Sequence, residues 1–475
     1  MNQEEKNSRL VNGITIVFIA NVLSTFFNVA LNFLLPRYLA VDAYAGIKSY
    51  ELYYTFVSVS TLGYIDGVYL EYGGANILKI NQIDIAIRIN TLRWFQLVVM
   101  VLLFPVSLIL SDDVFFFFVL SVPSLNIINL FQLLYQATGE YSRYSRILNV
   151  ITISKTITSI VLLFFVTRID YKYYLLAYVI ISFGISIWQE YLIRKKYIGK
   201  QPIFRSSFSL MVKEIKDGFV LRVGVLSGFL LSGMDRIFVK LLMNTGAFAL
   251  YSFAATVENI LSVMITPVTT TMYNYFCDKP DSTLIRKIRN VIVFSSLCIL
   301  IVFFPVKVVL SLFIRNYIDA RIVLALLFAS KSLYMVIQGV YVNLYKARKK
   351  QNAYLLKLII VIVIGLLSNF VFYQIQPIKE SFAVATFFSS IIWLIISALD
   401  FKDIAFEKKE ISYYSLSLVS FLLCSCMLDA IIGMAVYTLL LLVLTRLMMF
   451  EELKILLKYI RRRIKKKPLK DINYD

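Results

Sequence analysis

The chain has 475 residues, of which 59% are hydrophobic and 16% charged, with 49 Lys+Arg against 29 Asp+Glu and a mean hydropathy of +0.75. Soluble domains are about 45–50% apolar and about 25% charged, so a soluble multidomain enzyme is excluded. The chain has no His, which removes the commonest metal ligand and acid–base catalyst.

Long apolar runs recur from residue 14 almost to residue 449, with no polar linker between them. A helix needs about 20 mostly apolar residues to cross the hydrocarbon. That ruler predicts spans near 14–36, 46–71, 93–110, 114–136, 147–167, 172–193 and 218–241, then 247–276, 290–313, 320–345, 354–376, 381–400, 412–428 and 430–449. The sequence therefore predicts an all-α integral membrane protein of fourteen transmembrane helices. The polar segment 1–12 is not a cleavable signal, so the first span is retained.

The positive-inside rule checks the count, because one missed span would scramble the alternation. With the N-terminus inside, the inner segments hold 34 Lys+Arg and the outer connections 6. That split supports cytoplasmic N- and C-termini. It also accounts for the net charge of +20 better than nucleic acid does, because the basic residues lie between apolar spans. The tail from Lys458 to Lys470 reads as a topology anchor, with anionic lipid headgroups as a second option. Tyrosines such as Tyr53, Tyr54, Tyr171, Tyr173 and Tyr174 fall near span ends, as an interfacial belt requires.

Among motifs, there is no phosphate-binding GxxxxGK[ST] loop and no GxGxxG behind a strand, so a self-contained ATP-driven pump is not expected. Cys277, Cys298, Cys424 and Cys426 form no CxxC pair and read as small hydrophobes. An internal repeat is visible. Leu134-Tyr135-Gln136-Ala137 followed by Tyr144 matches Leu344-Tyr345-Lys346-Ala347 followed by Tyr354, at one offset of 210 residues. Both sites end the fourth span of a six-span unit. The predicted organisation is two pseudo-symmetric six-helix lobes, 1–200 and 201–410, two additional helices over 411–450, and a basic cytoplasmic tail over 451–475.

A charge at mid-bilayer costs about 2.5–3.5 kcal/mol on insertion scales, so such residues face water or a partner. Lys48, Lys240, Lys357 and Arg446 lie near span ends and are expected to snorkel. Lys155, Lys331 and Arg222 lie deeper. The carboxylates are Glu51, Asp66, Asp235 and Glu258. Adjacent Asp235 and Arg236 point about 100° apart on a helix and cannot simply neutralise each other. Whether Glu258 pairs with Lys331 or Arg222, or carries a coupling proton, is left open. The deep charges are mainly cationic, which suits an anionic, strongly hydrated substrate.

Three stretches stand out: Pro36-Arg37-Tyr38-Leu39-Ala40 with Tyr44-Ala45-Gly46, Leu62-Gly63-Tyr64-Ile65-Asp66-Gly67, and Met234-Asp235-Arg236-Ile237-Phe238-Val239 with Gly246 and Leu250-Tyr251-Ser252. Together they resemble polysaccharide flippases of the Wzx type, within the superfamily that includes multidrug extruders and lipid II flippases. The resemblance covers roughly residues 10–400; Ala40, Ala45 and Ala249 stand where the family usually or often has Gly.

The resemblance implies a multi-pass protein of the bacterial cytoplasmic membrane. Its expected task is moving an undecaprenyl-diphosphate-linked oligosaccharide to the outer leaflet for surface polysaccharide biosynthesis, O-antigen among them, by alternating access through a cationic central cavity. No catalysis is expected. The substrate-contact candidates are Arg37, Lys155, Arg222, Arg236 and Lys331; the ion-coupling or charge-balancing candidates are Asp66, Asp235 and Glu258. No cofactor is implied. H+ or Na+ coupling is open, because exporting two negative charges already gains about 4.6 kcal/mol at 100 mV. Partners are the lipid-linked glycan and membrane lipids; docking of a polysaccharide polymerase or another biosynthesis protein is open.

Rival readings are a lipid II flippase, a cation-coupled multidrug extruder, and a membrane-embedded polymerase or glycosyltransferase. The last needs a sizeable external loop, and no predicted outer connection exceeds about ten residues.

Overall fold

A computed structural model describes residues 3–73, 75–165, 170–198, 205–262, 265, 272, 276 and 281–450. The fold is all-helical, with no strand among the described residues. Contacts divide the chain into two compact units, Met1–Ser252 and Phe253–Asp475.

The first unit contains α1 (Gln3–Tyr38), α2 (Val41–Thr55), α3 (Tyr64–Glu71), α4 (Gln82–Leu110), α5 (Asp113–Ala137), α6 (Tyr141–Phe165), α7 (Tyr171–Ile193) and α8 (Phe208–Leu242). Polar residues at helix starts satisfy the free amides there. Asn81 caps α4, Asp112 caps α5, Asp170 caps α7 and Ser207 caps α8. The core runs along α5, where Val119, Val122, Phe131 and Tyr135 are fully buried. The helix α8, which the sequence reading assigns to the second lobe, packs along α3 in this unit.

The helix α9 (Thr245–Glu258) crosses the division at Ser252. The second unit then contains α10 (Ser282–Ile299), α11 (Phe303–Phe313), α12 (Arg321–Val336), α13 (Asn343–Ala347), α14 (Gln351–Ile375), α15 (Lys379–Leu399), α16 (Lys408–Met427) and α17 (Ala430–Met448). A π-helical segment, Ile337–Val342, joins α12 to α13. The interior is aromatic: Phe303 meets Phe304, Phe328 and Phe421 edge-to-face at 5.5–5.7 Å.

Eleven described helical segments are long and apolar enough to cross a membrane, which makes this a multi-pass membrane protein. The second, seventh and eighth of the fourteen expected spans are not among those eleven. The second is broken: α2 ends at Thr55, a 3-10 turn covers Val57–Thr61, and Leu62 and Gly63 take left-handed conformations (φ 52° and 95°) before α3 begins. The seventh lies within α8. The eighth begins as α9 and runs into a stretch of which only residues 265, 272 and 276 are described beyond 262. Cys277 and the basic tail 451–475 lie outside the described residues.

The repeated tetrapeptides end their helices with one geometry. After α5, the amides of Thr138, Gly139, Glu140 and Tyr144 donate to the carbonyls of Leu134, Gln136, Tyr135 and Glu140 at 2.8–3.3 Å. After α13, the amides of Arg348, Lys349, Lys350 and Tyr354 donate to Leu344, Lys346, Tyr345 and Lys350 at 2.8–3.1 Å. Every donor and acceptor is displaced by 210 residues. The left-handed residue is Gly139 in one turn (φ 73°) and Lys349 in the other (φ 55°). Both are Schellman-type helix ends.

Candidate functional site

Several charges of the first unit lie along the contact of α3 with α8. On α8, Glu214, Gly218 and Arg222 recur every four residues and share a face. On α3 and its entry turn, Gly63 and Gly67 do the same. The two helices meet backbone to backbone. A Cβ on Gly63 would lie 2.8 Å from the Gly218 carbonyl carbon, and one on Gly218 or Gly67 would collide with the opposite main chain. Glycine at these positions is what lets the helices approach, as small residues do in membrane packing.

This contact places Asp66 against Arg222. Arg222 Nε and Nη2 lie 2.7 and 2.6 Å from Asp66 Oδ2, and Nη1 donates to Ser58 Oγ at 2.7 Å. Both side chains are buried. Two turns earlier on α8, Glu214 Oε1 accepts from Arg88 Nη2 and Nε of α4 at 2.7 and 3.0 Å. Arg88 also donates to Asp84 and to the Tyr72 hydroxyl, and its guanidinium stacks 4.7 Å over the Tyr72 ring.

Three other cations of the unit, Lys155, Lys240 and Arg236, make no ion pair among the described residues. Lys155 Nζ sits between two aromatic faces, 4.7 Å from the Tyr54 ring and 5.2 Å from that of Tyr178. Lys240 donates to Ser49 Oγ at 2.8 Å and lies 5.5 Å from the Phe248 ring. Arg236 lies beside Gly233, where a Cβ would come within 3.3 Å of Nη2. Its neighbour Asp235 accepts from Tyr251 OH at 2.6 Å instead of neutralising it. Arg37 is exposed near the end of α1, with its guanidinium carbon 5.5 Å from the Tyr38 ring. Lys48 does not snorkel: it is 4% exposed and bonded to Glu51 Oε2 (2.7 Å) and Asn32 Oδ1 (2.6 Å).

In the second unit the deep cations are compensated. Lys331 pairs with Glu258 at 2.8 Å, so of the two cations considered for that carboxylate it meets Lys331. Lys357 pairs with Asp400 at 3.1 Å, and Lys307 donates to the carbonyls of Ser425 and Leu428 at 2.8 and 2.6 Å. Arg289 is wholly buried. Its Nη2 lies 2.6 Å from Glu410 Oε2, Asn290 Nδ2 donates to Glu410 Oε1 at 2.6 Å, and the guanidinium stacks 4.0 Å over Phe406.

Sequence reasoning counts Arg88 and Arg289 only as basic residues of inner connections, and both prove to be buried hubs. The signal for the glycine contact was present as two glycines four apart at Gly63 and Gly67. No cluster of metal-ligating residues occurs among the described residues.

No protein-family description matches the chain, and no curated protein matches it in sequence. Among solved structures the chain is similar to "Lipid II flippase MurJ, inward closed conformation", with a TM-score of 0.57, 14% identity, and coverage of 91% of this chain and 98% of that one. A second similar structure is a crystal structure of MATE in complex with Br-NRF, with a TM-score of 0.38 and 12% identity over 82% of this chain and 93% of that one. The fold is therefore that of the MurJ structure, shared over nearly the full length of both chains.

Proposed function

We propose that the chain is a flippase that moves an undecaprenyl-diphosphate-linked oligosaccharide repeat unit from the inner to the outer leaflet of the bacterial cytoplasmic membrane, supplying surface polysaccharide synthesis. The observation that carries this reading is the set of cations in the first unit, Lys155, Arg236 and Lys240, that have no carboxylate in ion-pair range among the described residues. An unpaired phosphate in hydrocarbon would cost tens of kcal/mol. A diphosphate therefore needs such cations along its route, while its polyprenyl tail stays in lipid. Alternating access supplies the route, and the chain acts as a carrier, not as an enzyme. Lipid II itself is the second reading; it shares the diphosphate, and the likeness to the MurJ fold favours it.

Liposomes containing the full chain and a fluorescent undecaprenyl-diphosphate glycan test both. Lys155→Gln and Arg236→Gln are expected to slow flipping at least tenfold, since hydrogen bonds to charged groups contribute about 1.5–3 kcal/mol each. Undiminished flipping in both variants overturns the cationic route. Faster flipping of lipid II than of every peptide-free glycan carrier overturns the choice of substrate.

A further inference from the structure

A cavity of about 560 Å3 lies within the second unit, between α12, α15 and α16. Sites for small ligands measure about 300–1,000 Å3, so it is large enough to hold one. Its wall is apolar, with Leu333, Leu394, Ala398, Leu418 and Leu422 among the lining residues, and Lys402 lies at its rim. The lining runs along α16 from Ile411 to Leu422, about 16 Å at 1.5 Å per residue. That is about half the 30 Å of a bilayer's hydrocarbon, the depth of a single leaflet. Ile395, Leu399, Ile411 and Val419 are each more than half exposed, so the cavity is open along its helix flank.

The charges at the polar end are unevenly paired. Each acid of the α15–α16 connection and the following turn already has a cation. Asp400 holds Lys357, Asp403 holds Arg348, Glu407 holds Arg286 and Glu410 holds Arg289. Lys402, Lys408 and Lys409 are exposed, and none makes an ion pair among the described residues. The local surface therefore carries uncompensated positive charge beside an apolar slot one leaflet deep.

We propose that this cavity holds one acyl chain of an anionic diacyl phospholipid, with the headgroup phosphate on Lys402 and the Lys408–Lys409 pair. The slot's length matches one acyl chain and falls short of a polyprenyl tail, so the occupant is a bilayer lipid and not the substrate's carrier. Nothing in this assignment depends on which glycan is moved.

Native mass spectrometry of the full chain, with dioleoyl phosphatidylglycerol, dioleoyl phosphatidylcholine and undecaprenyl phosphate added separately, tests it. Phosphatidylglycerol is expected to be retained at least tenfold more than phosphatidylcholine. Replacing the three lysines by Gln removes that preference by about fivefold per lysine and leaves phosphatidylcholine retention unchanged. Ala398→Trp, which fills the slot, lowers retention of both phospholipids. If that variant fails to fold, the three exposed lysines decide the matter alone. Equal retention of the two phospholipids, or a phosphatidylglycerol preference that survives loss of the lysines, overturns the site. Displacement of phosphatidylglycerol by equimolar undecaprenyl phosphate overturns the choice of occupant.

Discussion

The two compact units solve the same problems with different residues. Each carries an arginine in the first turns of a long helix, Arg88 on α4 and Arg289 on α10. Each arginine is buried, stacked on an aromatic ring and paired with a glutamate more than 100 residues away. Each unit also carries a deep ion pair, Arg222–Asp66 or Lys331–Glu258. The difference lies in what is left over. In the first unit Lys155, Arg236 and Lys240 have no acid in ion-pair range among the described residues. In the second unit Lys331 and Lys357 have theirs, and Lys307 caps a helix end through two carbonyls. Compensated charge holds a unit together, and uncompensated charge attracts an anion. The Lys155→Gln and Arg236→Gln variants thus test the proposed anion route, whereas a Lys331 variant chiefly strands Glu258.

The sharpest way to break this comparison is to remove a hub. Losing one member of a buried ion pair costs about 3–5 kcal/mol, because the other charge is left without its partner. Arg289→Met is expected to reach the upper end. Glu410 is held there by Arg289, Asn290 and the Glu407 amide, and the same carboxylate closes the capping box of α16. Arg88→Met is expected near the lower end, since the Asp84 beside it is more than a third exposed. Unfolding of the detergent-solubilised chain measures both. Equal losses would show that the hubs differ only in their neighbours' names. Adding Glu410→Leu to Arg289→Met should recover much of the loss, as replacing a buried pair by apolar groups often does.

The parts of this architecture that were legible in the sequence are the local ones. The helix ends at Leu134–Ala137 and Leu344–Ala347 are set by a handful of adjacent residues, so the matching tetrapeptides carry through to matching hydrogen bonds. Apolar runs likewise locate most of the long helices. The break at Leu62–Gly63 was hidden because residues 46–71 are apolar enough to read as one span. What accompanies the break is close approach to Gly218, about 150 positions along the chain. Arg88 and Arg289 were miscast for the same reason. Counting inner basic residues says nothing of Glu214 or Glu410, which lie 126 and 121 positions away. Lys48 was expected at the interface by position alone, and its pairing with Glu51 and Asn32 depends on how α2 packs.

The repeated turn gives a smaller, cleaner contrast. A left-handed conformation costs a residue with a side chain about 1–2 kcal/mol and costs glycine almost nothing. Lys349 occupies the position that Gly139 fills in the first unit, and both are exposed. Lys349→Gly should therefore stabilise the chain by about 1 kcal/mol, and Gly139→Ala should destabilise it by a similar amount. Opposite signs in thermal unfolding would confirm that the two turns are equivalent. A destabilising Lys349→Gly would mean that the lysine has a role its exposed side chain does not show.

The smallest effect lies just beyond that turn, where the second unit carries the ion pair of Arg348 with Asp403 at 2.6 Å. Hydrogen bonding to the guanidinium holds the Asp403 carboxyl below its ordinary value. Because the folded-state value is the lower one, the pair contributes stability at pH above the free carboxyl's value of about 3.9. That contribution is lost as pH falls through the lowered value, when the folded-state carboxylate takes up its proton. Both side chains are about a third exposed, so the gain is about 0.2–1 kcal/mol at neutral pH and shrinks with salt. Arg348→Gln should lower stability by that amount at pH 7 and by nothing measurable at pH 2. A loss that is the same at both pH values would assign the role of Arg348 to its contact with the Phe401 ring, 5.3 Å away, instead of to its charge on Asp403.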